Sequence, residues 1–138
     1  MSSLKKYPLP PFTMETALEK AVSLDVVWNG YLPETLGGIC STGVEWQDNL
    51  SHVHGLEAVH KLLHNSCEGV QSFKSQRTLW GFRVNRMAVR FVFEWQDHEG
   101  FWFRAAGNEL LEFNEEGLLL KRFASSSNWI VTVDDLSV

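Results

Sequence analysis

The spacing of apolar residues changes at Gly69. Before it they recur at helical intervals, and after it they alternate with polar ones. Met14, Ala17, Leu18, Ala21, Leu24 and Trp28 form one stripe. It predicts a helix capped by Thr13, with Glu15 in the first turn, running to about Asn29 and ended by Gly30. Pro33 suits the first position of a short second helix that Gly37 and Gly38 stop. Residues 39–46 read as a short strand and 49–54 as a loop. Leu56, Val59, Leu62 and Leu63 give a third helix with one apolar face. Beyond Gly69 the alternation predicts four strands, near 70–83, 86–96, 101–113 and 118–131. Asp97-His98-Glu99-Gly100 and Asn114-Glu115-Glu116-Gly117 read as hairpin turns closing on glycine. Arg83-Val84-Asn85-Arg86 is a third turn, with Asn85 as its left-handed residue.

Helices followed by a meander of long strands predict an α+β domain. Strands of this length must curve. N-terminal helices packed on the inner face of a mostly antiparallel sheet would make a cone with one open end, where a pocket forms. Pro8, Pro10 and Pro11 make residues 1–12 an extended arm on a single domain of residues 13–138. A chain of 138 residues leaves no room for a second domain.

Alternation also assigns sides. Phe101, Phe103, Ala105, Gly107, Glu109, Leu111 and Phe113 share one face, which is apolar and therefore inward. Glu109 is carried inside with them, unless a bulge at Gly107 reverses the facing. Phe91, Phe93 and Trp95 are expected inward on the preceding strand. Arg90 and Glu94, with Arg104, Asn108 and Arg122, are expected on the outer face, as cross-strand ion pairs or a subunit interface. Asp25 falls near the centre of the first helix's stripe, where a carboxylate needs a partner or a raised pKa. Asp25 and Glu109 are therefore candidates for a general acid and base, or else structural carboxylates. His54 and His52, in the loop near the mouth, add a candidate base and a contact, against the plainer reading of solvated loop histidines. Trp28, Trp46, Trp80, Phe91, Phe93, Trp95 and Phe103 complete the expected substrate-contacting set.

Charge and composition remove several classes. The net charge is −5 and there is no basic run, which argues against nucleic-acid binding. No apolar run approaches the roughly 18 residues of a membrane span, and no apolar segment follows Lys5 and Lys6 as in an export signal. Cys40 and Cys67 match no metal spacing and read as reduced thiols of a cytoplasmic protein. His60 and His64 are four apart on a helix but lack the acid of a zinc motif, so no metal is expected. There is no phosphate-binding glycine loop, nucleophile elbow or Cys–His pair. Any chemistry would be cofactor-free proton transfer, or the reshaping of a small apolar substrate.

Certain segments resemble a known family. They are Leu79-Trp80-Gly81-Phe82, Asn85 to Phe91, Glu94-Trp95, Trp102-Phe103-Arg104, Gly107-Asn108-Glu109, Glu112-Phe113, Gly117-Leu118, Arg122 and Ala124-Ser125. Pro10 to Thr13, Ala17-Leu18 and Trp28-Asn29 join them near the start. Together they resemble an uncharacterised SnoaL-like family of the nuclear-transport-factor-2-like superfamily. The resemblance implies the cone fold and pairing of two copies through the sheet. It leaves activity open, because the superfamily spans cyclases, isomerases, dehydratases, epoxide hydrolases and non-catalytic modules. Two readings follow. One is a cyclase, isomerase or dehydratase acting on a polyketide- or terpenoid-like molecule by acid/base or shape-driven catalysis. The other is a non-catalytic ligand-binding or dimerisation module.

Overall fold

A computed structural model describes residues 5–138. Helix α1 spans Met14–Trp28 and short helix α2 Pro33–Gly37. Strands β1 (Cys40–Gln47) and β2 (His52–His54) lead into helix α3 (Leu56–Cys67). Then come β3 (Gln71–Arg83), β4 (Arg86–Gln96), β5 (Trp102–Phe113) and β6 (Leu119–Val131), and a 3-10 turn at Val133–Asp135. One open sheet of six strands has the order β2-β1-β6-β5-β4-β3. Every pairing is antiparallel except β1 with β6. This is the α+β cone expected from the chain's periodicity.

Three local expectations need correction. The segment predicted as a loop before α3 contains β2. Val53 pairs with Trp46 and packs on the core, which turns His52 and His54 outward by simple alternation. The α1 stripe is rotated: Met14 and Leu18 are exposed, and Lys20 joins Ala17, Ala21, Leu24 and Trp28 in the core. The Lys20 Nζ donates to Lys6 O at 2.8 Å and Gly117 O at 2.9 Å, and lies over the Phe113 ring. Burial, with Lys6 adding to it, pulls its pKa down to about 8. In the β3–β4 turn the left-handed residue is Val84, with φ 54°, and not Asn85.

The ladder of β5 runs unbroken through Gly107, which pairs with Phe91 on one side and Ser126 on the other. There is no bulge, so Glu109 keeps its inward facing and is 1% exposed. Gly107 is required by a close approach: a Cβ there would lie 2.0 Å from Ser125 O. Gly107→Ala is therefore expected to cost about 1–3 kcal/mol, because β6 must move away. Urea denaturation measures this, and an unchanged midpoint would contradict the contact.

The C-terminal turn of α1 lies along the outer edge of β3. Asp25 Oδ2 accepts from Arg77 N at 2.9 Å and Asn29 Oδ1 from Ser75 N at 2.9 Å, while Gly30 N donates to Phe73 O at 3.0 Å. Side chains and a loop thus take up the hydrogen bonds that a seventh strand would make. On the sheet's outer face, Glu94 is 2% exposed. It accepts from Arg104 and from the backbone N–H groups of Ser137 and Val138, and these donors hold its carboxyl below the usual range against the opposing effect of burial. Among the described residues no helix is long and apolar enough to cross a membrane.

Candidate functional site

The cone opens into a cavity of about 570 Å³ between α1, α3, the β1–β2 turn and the inner sheet face. Trp28, Trp46, Phe73, Phe91, Phe93 and Trp95 form its aromatic walls, with Leu62, Leu63, Ala105 and Ala124 between them. Tyr31, Asp48, Asn49, Ser66, Ser126 and Asn128 supply polar groups, and Arg122 supplies the one cation among the lining residues. Trp28 is the hub of the aromatic array. Its ring stacks on Phe93 at 5.0 Å and on Trp46 at 5.9 Å between centroids. The volume falls within the few hundred to about 1,000 Å³ typical of small-molecule sites.

Behind that wall lies a buried ionic chain. Glu109 receives Arg77 Nε on Oε1 at 2.7 Å, and Arg77 Nη2 on Oε2 at 3.1 Å. Arg122 Nε donates to the same Oε2 at 2.6 Å. Arg77 Nη1 continues to Asp25 Oδ1 at 3.1 Å and to Ser75 Oγ at 2.9 Å, and the Ser75 hydroxyl donates to Asp25 Oδ1 at 2.7 Å. Two carboxylates meet two guanidiniums, so the chain is charge-balanced. Both guanidiniums lie against the aromatic stack. Arg77 Cζ lies 4.7 Å from the Trp28 ring centroid, and Arg122 Cζ lies 4.8 Å from Trp28 and 4.5 Å from Trp46.

This geometry settles the protonation of Glu109. Burial alone would raise its pKa, but the two guanidiniums and their hydrogen bonds outweigh that and hold it at about 2. The Tyr31 phenol moves the other way. Burial foremost, with Cys67 and Asp48 assisting and Arg122 and Ser66 opposing, pushes it up to about 12. Tyr31 is thus a neutral donor on the cavity wall.

The expected site residues separate into two groups. Trp28, Trp46, Phe91, Phe93 and Trp95 line the cavity. Trp80 does not: it occupies an irregularity in the β3–β4 ladder and is 77% exposed. Phe103 stands beyond the cavity, stacked on Trp95 at 5.7 Å. His52 and His54 point away from it, the first onto Glu45 Oε2 at 2.7 Å and the second onto Gly43 O at 3.1 Å. Asp25 is at the edge of the α1 stripe, not its centre, and neither it nor Glu109 lines the cavity. A direct proton exchange between either carboxylate and a cavity ligand does not fit this placement.

Arg122 was expected outside and is inside. β6 carries an extra residue at Leu120, where its register with β5 slips between Glu112 and Phe113, and Arg122 follows that slip with its side chain inward. Arg77 and Tyr31 were not foreseen as site residues. For Arg77 the signal was present, since Phe73, Ser75, Arg77 and Leu79 share one face of β3. Asn49 was likewise missed. Its side chain bonds Ser126 O, and accepts from Ser126 N at 3.1 Å, tying the β1–β2 turn to β6 across the cavity rim. Among the described residues no group of three potential metal ligands occurs.

A family model described as "Protein of unknown function (DUF1348)" matches residues 10–138. The chain belongs to this family. No curated protein matches the DUF1348 chain. Among solved structures it is similar to an NTF2-like protein of unknown function from Exiguobacterium sp. 255-15, with 17% identity and a TM-score of 0.63 over 81% of this chain and 98% of that one. It is similar to an LEH-like epoxide hydrolase of M. tuberculosis, with 10% identity and a TM-score of 0.65 over 80% and 82% of the two chains. A third is the epoxide hydrolase/cyclase-like enzyme SalBIII, whose structure concerns pyran ring formation in the polyether salinomycin; it has 9% identity and a TM-score of 0.64 over 85% and 94%. These likenesses show the NTF2-like fold of the DUF1348 chain.

Proposed function

We propose that the DUF1348 chain is a cofactor-free enzyme of the cyclase, isomerase or lyase type, acting on a small, largely apolar molecule in the α1–α3 cavity. The observation that carries this reading is the cavity itself, an open aromatic chamber with Arg122 and a few further polar groups among its lining residues. The similar epoxide hydrolase and cyclase-like enzyme support the class, since they use the same fold. In this reading the chemistry is electrophilic. Arg122 and the neutral Tyr31 phenol polarise an oxygen of the substrate and stabilise negative charge that develops on it. Glu109, Arg77 and Asp25 are positioning residues that hold the Arg122 plane. Asp48 is the single carboxylate among the lining residues and the candidate proton acceptor at the rim.

The placement of Asp25 and Glu109 away from the cavity favours a second reading, a non-catalytic small-molecule carrier. Incubation with a panel of epoxides, epoxy-alcohols and enones, followed by chiral chromatography, separates the two. Catalysis predicts enantioselective product from at least one class, suppressed by the cavity-filling Ala124→Leu. Ligands that bind and emerge unchanged would establish the carrier.

A further inference from the structure

We infer that the ligand of the DUF1348 cavity presents a neutral carbonyl oxygen, as in a ketone, ester or lactone, to the two terminal nitrogens of Arg122. This rests on the small-molecule reading above and names the class of molecule it takes.

Arg122 is 5% exposed and lines the cavity. Its Nε is committed to Glu109, while among the described residues no hydrogen bond engages Nη1 or Nη2, and neither nitrogen is sealed from the cavity. The guanidinium also lies against the stacked pair of Trp28 and Trp46, within 4.8 Å and 4.5 Å of their ring centroids, and its Nε bond to Glu109 fixes its direction. Two donors of a largely buried guanidinium are thus available to a chamber walled mainly by aromatic rings. A ligand that displaces water from these donors without replacing its hydrogen bonds leaves them unpaired at about 1–3 kcal/mol each, a cost that an oxygen acceptor avoids.

Charge selects among acceptors. A guanidinium end ordinarily favours a carboxylate, which takes both hydrogen bonds. Here the positive charge is already matched: Arg77 and Arg122 stand against Asp25 and Glu109, with Glu109 on the adjacent edge of the same guanidinium. Among the described residues, the one other charged group on the cavity wall is Asp48, which is negative. A carboxylate entering between Trp and Phe walls would be an excess anion facing two others. A carbonyl accepts from both nitrogens and adds no charge. The aromatic walls then suit a flat or cyclic body behind that oxygen.

Three compounds of nearly equal shape test this by isothermal titration near neutral pH: naphthyl methyl ketone, naphthoate and ethylnaphthalene. The ketone is expected to bind about tenfold tighter than the hydrocarbon, as one well-formed hydrogen bond to a charged donor allows, and tighter than naphthoate. In Arg122→Met the ketone should fall to the level of the hydrocarbon, whose own affinity holds. If that variant does not fold, the C=O stretch of the ketone bound to the natural chain decides, because a carbonyl on a guanidinium shifts to lower frequency. Naphthoate binding tightest, or an unshifted C=O stretch, overturns the inference. Equal affinity for ketone and hydrocarbon overturns it while leaving the cavity reading intact. Failure of all three to bind removes the cavity reading, and this inference with it.

Discussion

Glu109→Gln is expected to destabilise the fold by about 3–5 kcal/mol, the cost of breaking a buried ion pair from one side. The amide keeps the shape but presents an N–H₂ to groups that are themselves donors, and it leaves Arg77 and Arg122 with one carboxylate between them. The loss should depend on pH. The Glu109 pKa is depressed in the folded chain, to about 2 from an ordinary 4.5. Its contribution is therefore complete above about pH 4.5 and is lost as pH falls through the folded value. A separation of this size is worth roughly 3 kcal/mol. Urea denaturation of both forms between neutral and acid pH measures it, and the two stabilities should converge on acidification. A difference that stays constant down to the acid limit would contradict the assignment of the ion pair.

Trp28→Ala is expected to cost about 3–5 kcal/mol, as for other buried aromatic truncations. The effect has two parts. Removing the ring leaves a void beside Trp46, Phe73 and Phe93. It also strips an aromatic face from each of the two buried guanidiniums, which are then desolvated with less compensation. Trp28→Phe retains a ring over the arginines and should recover the larger share. Thermal and urea unfolding of the three forms tests this. Equal losses for Ala and Phe would show that indole-specific contacts, not ring stacking, hold the site.

The course of the chain was legible because its strands alternate cleanly. The four long strands fall within about a residue of the pattern, as expected where period-two alternation is strong. The aromatic wall was legible for the same reason, since Phe91, Phe93 and Trp95 occupy successive inward positions. The ionic chain was not. Its bonds join residues 32, 52 and 13 apart in sequence, and no local pattern pairs Arg77 with Glu109, Arg77 with Asp25 or Arg122 with Glu109. An inward arginine looks out of place until its carboxylate is known. Lys20 misled the reading of α1 in the same way. Its long stem packs in the core while its amine reaches carbonyl oxygens of the arm and of the β5–β6 turn. Trp80 misled in the opposite sense, because aromatic character was taken for burial although alternation from Leu79 already places it on the solvent side.

Asp25 has a consequence outside the site. A bare sheet edge is a template on which a neighbouring chain can lay its own strand. In this sheet one edge is the three-residue β2, too short to offer much of a template. The other is the thirteen-residue β3, a long one. The carboxylate of Asp25 and the amide of Asn29 occupy its donors at Arg77 and Ser75, and Gly30 takes its acceptor at Phe73. A residue that looked like a proton carrier is thereby part of what stops the sheet from growing into an aggregate.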